Sequence, residues 1–506
     1  MVSININNLV KKIFFALFII LLVFLSKGYN IYSQTQPYYI NSCPYPINSS
    51  GYYIITQNLY VTGSGNSCIT IKPGVTDIII NGNNHYIIGK GPNDNNTAIN
   101  VSYNMTGVTI ENLSVENIKY VFLAYSYSYS SSGYAYSNVS FQYNNIENLS
   151  VYNTSYVFYI YPYSNSDSGN ASSSVFFQYN NIENLSVYNT SYVFYAYSNS
   201  FAHSEGPFPT IMYAFSSVSF QNNNIENLSV YNTSYVFYAY SNSSVSGASG
   251  SNGYAYSNVS FQYDNITNLS VYYAPYVFYI YPYSYSNISS GNAFSNVSFQ
   301  YDNIENLSVY NTSYVFYIYP YSYSTTGNAS SNISFQYDNI QNLYVYNISN
   351  VFYIYPYSYS NSSSGYAYSN ISFQNNNIQN LYVYNISNVF YIYPYSYSTT
   401  GNAYSNISFQ NNNIENLSVY NTSNVFYIYL YSYSMYGNES SSVFFQYNNI
   451  ENLSVYNTSN VFYIYPYSYC YGGTYSATYT FSSVFFQYNN IENLSVYNTS
   501  YVFYAY

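Results

Sequence analysis

The chain has 506 residues, of which 85 are tyrosine, with only six cationic side chains, all of them lysine. With 17 acidic residues and a formal net charge of −11, it offers phosphate backbones almost no counter-charge, which excludes nucleic-acid binding. Charged residues make up just 5%, so Tyr, Asn and Ser take the surface that soluble proteins usually give to Lys and Glu.

Residues 1–35 read as a secretory signal. Lys11 and Lys12 precede the apolar run Ile13–Leu25, which is short for a bilayer span. Lys27-Gly28-Tyr29-Asn30 lacks the small-residue pair of a cleavage site, so an uncleaved N-terminal membrane anchor is the alternative. Export agrees with recurrent Asn-x-Ser/Thr sequons, among which Asn138, Asn153, Asn189, Asn232, Asn311, Asn421, Asn457 and Asn498 are glycosylation candidates. Of three cysteines, Cys43 and Cys68 are expected to form one disulfide in an oxidising compartment, leaving Cys470 over in a variable loop. A neutral-polar surface whose few carboxylates titrate near pH 4 suits an acidic extracellular habitat, and AT-rich coding would give the same composition.

Segment 36–100 reads as an N-terminal cap with the first coils. Gly51–Ile55 is strand-like, and Cys68–Gly89 divides short β-branched stretches at Pro73-Gly74 and Asn81-Gly82, the pattern of a winding sheet. The Cys-flanked cap and the run Thr76–Gly89 (T-D-I-I-I-N-G-N-N-H-Y-I-I-G) resemble the opening coils of pectin-lyase-like right-handed parallel β-helix proteins, especially the NosD-type surface and periplasmic proteins. The resemblance extends from about Cys43 to Tyr125 and implies a fold without specifying an activity. NosD-type proteins are linked to copper insertion, but His85 and His203 are far apart in sequence and form no His, Met and Cys cluster for a soft metal.

Segment 101–506 is repetitive. The string I-x-N-L-[SY]-V begins at Ile110, Ile146, Ile182, Ile225, Ile266, Ile304, Ile340, Ile378, Ile414, Ile450 and Ile491, so the period runs from 36 to 43 residues. A period of that size without helical patterning predicts an all-β solenoid, a right-handed parallel β-helix of about eleven long coils. At one strand spacing per coil, the repeats span about 50 Å. In the copy Asn138–Tyr163, Val139 and Phe141 mark a half-buried strand, and Tyr143-Asn144-Asn145 breaks it at a corner suited to left-handed asparagine. A second bend falls at Asn148, and Val157–Tyr161 forms the last strand.

The bend asparagines Asn112, Asn148, Asn184, Asn227, Asn268, Asn306, Asn342, Asn380, Asn416, Asn452 and Asn493 are expected to stack into a ladder of amides. Length varies only in tyrosine- and serine-rich arms such as Ser126–Ser137, Ser164–Ser173, Ser198–Ser216 and Tyr467–Ser482. These either protrude as hairpins or pack on one another and extend the sheet.

No catalytic residues emerge. A lyase on this fold needs a cationic base, and beyond Lys119 the chain has none. Asp264, Asp302 and Asp338 share one repeat position in neighbouring copies, which reads as a solvated turn or a weak Ca²⁺ site. Glu111, Glu147, Glu183, Glu226, Glu305, Glu415, Glu451 and Glu492 form a second acidic column, interrupted by Thr267, Gln341 and Gln379. No cofactor motif is present. The expectation is a secreted or cell-surface structural or adhesive repeat protein, on a cell or a virus particle. Its partners would be surface glycans or copies of itself, with any membrane contact made through residues 1–35. The alternative is a polysaccharide-binding or polysaccharide-cleaving β-helix. The last copy reaches Val502–Tyr506 without a visible polar cap, which leads to the further expectation of self-association through a bare strand edge.

Overall fold

A computed structural model describes residues 36–102, 104–204, 211–247, 251–362, 364–471 and 479–506. The chain divides into a short unit, Met1–Tyr38, and a body, Tyr39–Tyr506. The signal or anchor reading of residues 1–35 lies outside the described residues.

In the body every regular element among the described residues is a β-strand, and successive copies pair in parallel, each repeat position on its counterpart. One face is an eleven-stranded sheet in which spatial order follows chain order, from Asn104–Thr106 through Ala135–Gln142 and Ala171–Gln178 to Thr480–Gln487. Its register places Phe141 on Phe177 and Gln142 on Gln178. The rest of each coil belongs to a second sheet that turns around the interior, with Ile146 on Ile182 and Phe158 on Phe194. The fold is therefore a parallel β-helix. The N-terminal run that resembled opening coils joins it in the same register, Ile80 on Ile110 and Ile87 on Val115.

Alternation decides which side chains enter the core. In Ala135–Gln142, Val139 and Phe141 point inward, and in the last strand of the coil Phe158 and Ile160 do so. Because each coil repeats them, phenylalanines stack into columns: Phe316, Phe352 and Phe390 lie 4.8 Å apart, nearly parallel. The column from the facing sheet meets them edge-on, Phe335 against Phe352 at 6.2 Å and 86°. Each fully buried phenylalanine contributes on the order of 2–3 kcal/mol by area alone.

The coil turns at three left-handed residues spaced five apart: Tyr143, Asn148 and Asn153, with φ of +54°, +52° and +51°. The sequence had assigned the first corner to asparagine, but tyrosine takes it here and in six later coils. Asn144 is unavailable because its side chain is committed inside. Its Nδ2 donates to the Met105 carbonyl (3.1 Å) and to Asn180 Oδ1 (3.0 Å), and its backbone N–H donates to that same Oδ1 (3.1 Å). A left-handed tyrosine costs roughly 1–2 kcal/mol. Stacking of Tyr143 on Tyr179 at 4.9 Å offsets part of that cost.

The variable arms extend both sheets. Ser229–Gly247 pairs in parallel along Ser186–Ser204, and Asn252–Gln262 along Ile211–Gln221. Small residues let the two layers close on each other without a large-residue core. Ser331 Oγ donates to the Tyr357 carbonyl (2.8 Å) and Ser322 Oγ to the Ser330 carbonyl (2.7 Å), while Ala171, Ala202, Ala214 and Ala255 form a small apolar cluster with Met212, Val245 and Ile288. At the arm turns the coils approach so closely that a Cβ on Gly365 would lie 2.2 Å from the Gly327 carbonyl oxygen.

Candidate functional site

The most extensive outward feature is a lattice of tyrosines. In Tyr276–Asn287 the inward set is Val277, Phe278, Ile280, Pro282, Ser284 and Ser286, so Tyr279, Tyr281, Tyr283 and Tyr285 face out, half-buried by their neighbours. Parallel pairing sets each over its counterpart: Tyr279 on Tyr317 at 5.1 Å, Tyr281 on Tyr319 at 5.2 Å, and Tyr283 on Tyr321 at 5.0 Å. The column containing Tyr279 is unbroken from Tyr159 through Tyr353 to Tyr504. Adjacent columns lie 6.4 Å apart across the strand at Tyr279 and Tyr281.

Two physical consequences follow. The ring faces are occupied by other rings, so the surface presents ring edges and phenol hydroxyls. Burial, reinforced by neighbouring phenols that would also carry negative charge, holds the protons on: Tyr197, Tyr281 and Tyr429 are each pushed up to about 12. The lattice is therefore a neutral, hydroxyl-bearing surface across the ordinary pH range.

The bend asparagines form the expected ladder on the outside of the coil. Asn184 Nδ2 donates to Asn148 Oδ1 at 3.0 Å and Asn306 Nδ2 to Asn268 Oδ1 at 3.0 Å, and Asn493 Nδ2 closes the run on Asn452 at 3.0 Å. Among the glycosylation candidates, Asn153, Asn189, Asn232, Asn311, Asn421, Asn457 and Asn498 occupy the third left-handed corner. They form a ladder of their own, with Asn457 donating to Asn421 at 3.1 Å. Asn138 sits half-buried in Ala135–Gln142, its Oδ1 enclosed without a hydrogen-bond partner. Cys43 and Cys68 are joined as a disulfide, and the half-buried Cys470 lies outside it, its Sγ donating to the Met435 carbonyl at 3.9 Å.

Asp264, Asp302 and Asp338 do not lie in a solvated turn. Each is only 3% exposed, at the position held by Asn144, Asn180, Asn223, Asn376, Asn412 and Asn448 in other coils. Their Oδ1 atoms accept backbone N–H groups from the preceding coil: Asn223 to Asp264 (2.8 Å), Asp264 to Asp302 (2.8 Å), and Asp302 to Asp338 (3.0 Å). In the asparagine coils Nδ2 also donates to a phenylalanine carbonyl, as Asn376 does to Phe335 at 2.9 Å. An ionised aspartate has no proton for that bond, and Oδ2 of Asp264 and of Asp338 is buried without a partner. Burial pushes Asp264 and Asp338 up to about 7, and it raises Asp302 strongly, helped by the carboxylates on either side. No group of three or more His, Cys, Asp or Glu among the described residues has metal-binding geometry. The buried ladder left no mark in the reading of a single copy; the constancy of Asn or Asp just after the Phe-Gln-[Tyr/Asn] step was its only signal.

The glutamate column lies outward, half-buried from Glu111 to Glu451 and exposed at Glu492. Each of several carboxylates is held by the asparagine two residues before it, Asn145 to Glu147 at 2.6 Å and Asn413 to Glu415 at 2.8 Å. Gln379, one of the uncharged replacements, donates to Glu415 at 3.1 Å. His203 shares a 2.8 Å hydrogen bond between Nδ1 and the Ser246 hydroxyl, in a different coil from His85.

One break in the regular surface was also missed. Position [SY] of the repeat is serine in most coils but tyrosine at Tyr344 and Tyr382, which stack at 5.1 Å and border an open cavity of about 290 Å³. No protein-family model matches the chain, and neither a curated protein nor a solved structure matches it.

Proposed function

We propose that the chain is a secreted or surface-displayed structural and adhesive repeat protein without catalytic activity, built on a coil of the NosD-type, pectin-lyase-like kind. The observation that carries this reading is the unbroken tyrosine lattice from Tyr159 to Tyr504. Tyrosine presents large amphipathic area at low entropic cost, which suits contact over a broad surface. The carboxylates support the same reading: the three aspartates are spent in the buried ladder, and glutamates such as Glu147 and Glu415 are tied to asparagine amides. A glycosidase needs an opposed carboxyl pair with one member free to protonate the leaving group.

The test uses the full secreted chain with neutral and acidic polysaccharides. New reducing ends and unsaturated uronate are followed in solution, and retention is followed on insoluble material. The expected result is no turnover. Release of either product would overturn the reading. Retention without turnover would shift weight to the polysaccharide-binding alternative, which the Tyr344–Tyr382 break favours.

A further inference from the structure

We propose that Tyr344 and Tyr382 form a binding slot for an uncharged pyranose. Elsewhere along this column the repeat carries serine. The register runs Ser308 to Tyr344, Tyr344 to Tyr382, and Tyr382 to Ser418. Two large rings set into a column of hydroxymethyl groups cover one face each. The other face of Tyr344 looks toward Ser308, and that of Tyr382 toward Ser418. These rings thus have open faces on an outward sheet, whereas in the unbroken lattice the faces are stacked over.

The neighbouring column breaks at the same place. Tyr346 stacks on Tyr384 at 5.1 Å and 5°, but Tyr310 meets Tyr346 at 6.4 Å and 44°, and Tyr384 meets Tyr420 at 6.4 Å and 37°. Above and below, the stacks resume, Tyr272 on Tyr310 at 5.0 Å and Tyr420 on Tyr456 at 5.0 Å. The four tyrosines at 344, 346, 382 and 384 are a displaced unit, each between 40% and 46% exposed. The resulting cavity of about 290 Å³ has Val345 and Val383 in its lining and no charged side chain.

The chemistry of that lining selects the ligand. An apolar slot without a cation gives no hold on uronates, sulfates or phosphates. Open aromatic faces accept the C–H face of a sugar ring, and the phenol hydroxyls of the lining tyrosines match its equatorial hydroxyls. A cavity of this size, at the small end of ligand sites, suits one or two sugar rings. The slot rests on the substitution of serine by tyrosine in two coils and is independent of adhesion by the lattice as a whole.

The repeat supplies its own control, because serine is the native residue at this register in the adjoining coils. The full chain is titrated calorimetrically with cello-, chito- and manno-oligosaccharides, with oligogalacturonate as the charged comparison. At least one neutral oligomer is expected to bind and oligogalacturonate to bind at least tenfold more weakly. The double change Tyr344→Ser/Tyr382→Ser is expected to weaken binding at least tenfold with the melting temperature held. Ser308→Tyr/Ser418→Tyr, which continues the stack and covers both open faces, is expected to do the same. Absence of binding by every neutral oligomer overturns the proposal, as does affinity unchanged by both variants or preference for the charged oligomer.

Discussion

Replacing Asp264, Asp302 and Asp338 together with asparagine should stabilise the protein near pH 8 and leave it nearly unchanged near pH 4. All three carboxyls occupy asparagine positions in the buried ladder, and at Asp264 and Asp338 the missing element is a proton on Oδ2 where asparagine has its amide hydrogens. Burial raises Asp264 and Asp338 from 3.8 to about 7, so the folded state binds their protons more tightly than the unfolded chain. Their stabilisation is therefore complete below about pH 4, declines as pH rises, and is lost above about pH 7. At roughly 1.4 kcal/mol per unit, each of these two carboxyls is worth about 4 kcal/mol across that window. The groups acting on the three aspartates are their own neighbours in the ladder and backbone N–H donors; the chain has no cation beyond Lys119 to stabilise an ionised form. The assay is denaturant unfolding of wild type and triple variant at about pH 4 and about pH 8. Wild type should be clearly weaker at the higher pH and the variant much less so. A residual slope is expected from Glu439, buried and likewise raised to about 7. Wild-type stability that is flat or rises with pH, or a variant weaker than wild type at pH 8, would refute the reasoning.

Phenolate absorbance during alkaline titration should show a large class of tyrosines ionising well above the ordinary 10.0, since Tyr281 and Tyr429 are pushed up to about 12, and denaturant should bring them back. A native titration centred on the ordinary value would contradict the stacked lattice. Asn306, at φ +58°, should tolerate glycine better than alanine. Both changes lose ladder bonds of about 1 kcal/mol each, but alanine adds roughly 1–2 kcal/mol of left-handed strain, so the two melting temperatures should separate in that order. Glycans on Asn421, Asn457 and Asn498 should not coexist in one molecule, because rungs about 4.8 Å apart leave no room for adjacent sugars. Glycopeptide mapping of the intact secreted chain that found all three filled would falsify the ladder at that corner.

Much of the fold could be read from the repeat. The recurrence of Ile146, Leu149 and Val151 in every copy gave the coil, and the three-residue offset at Asn148 gave a corner that the structure places at φ +52°. Periodicity could not say which residue of Tyr143-Asn144-Asn145 turns the chain, because that depends on what the buried Asn144 amide reaches in the coils on either side. The same cause misplaced the aspartates. A carboxyl next to a turn looks solvated in one copy, and its burial becomes visible only when coils stack. The tyrosine-rich stripe was legible as composition, but whether rings offer faces or edges is a property of the stack. That distinction separates the closed lattice around Tyr279 from the open pair at Tyr344 and Tyr382.

In the proposed function the tyrosine lattice is the working surface. Beads coated with the full chain would be applied to surfaces bearing neutral glycans and to surfaces bearing the chain itself. They would be compared with beads carrying a variant in which Tyr281, Tyr319, Tyr355 and Tyr393 are serine. Wild-type beads are predicted to adhere to at least one surface, and the variant, folded as judged by its melting, to lose at least tenfold in retained beads. Equal adhesion by the two, or none by either, would contradict the account.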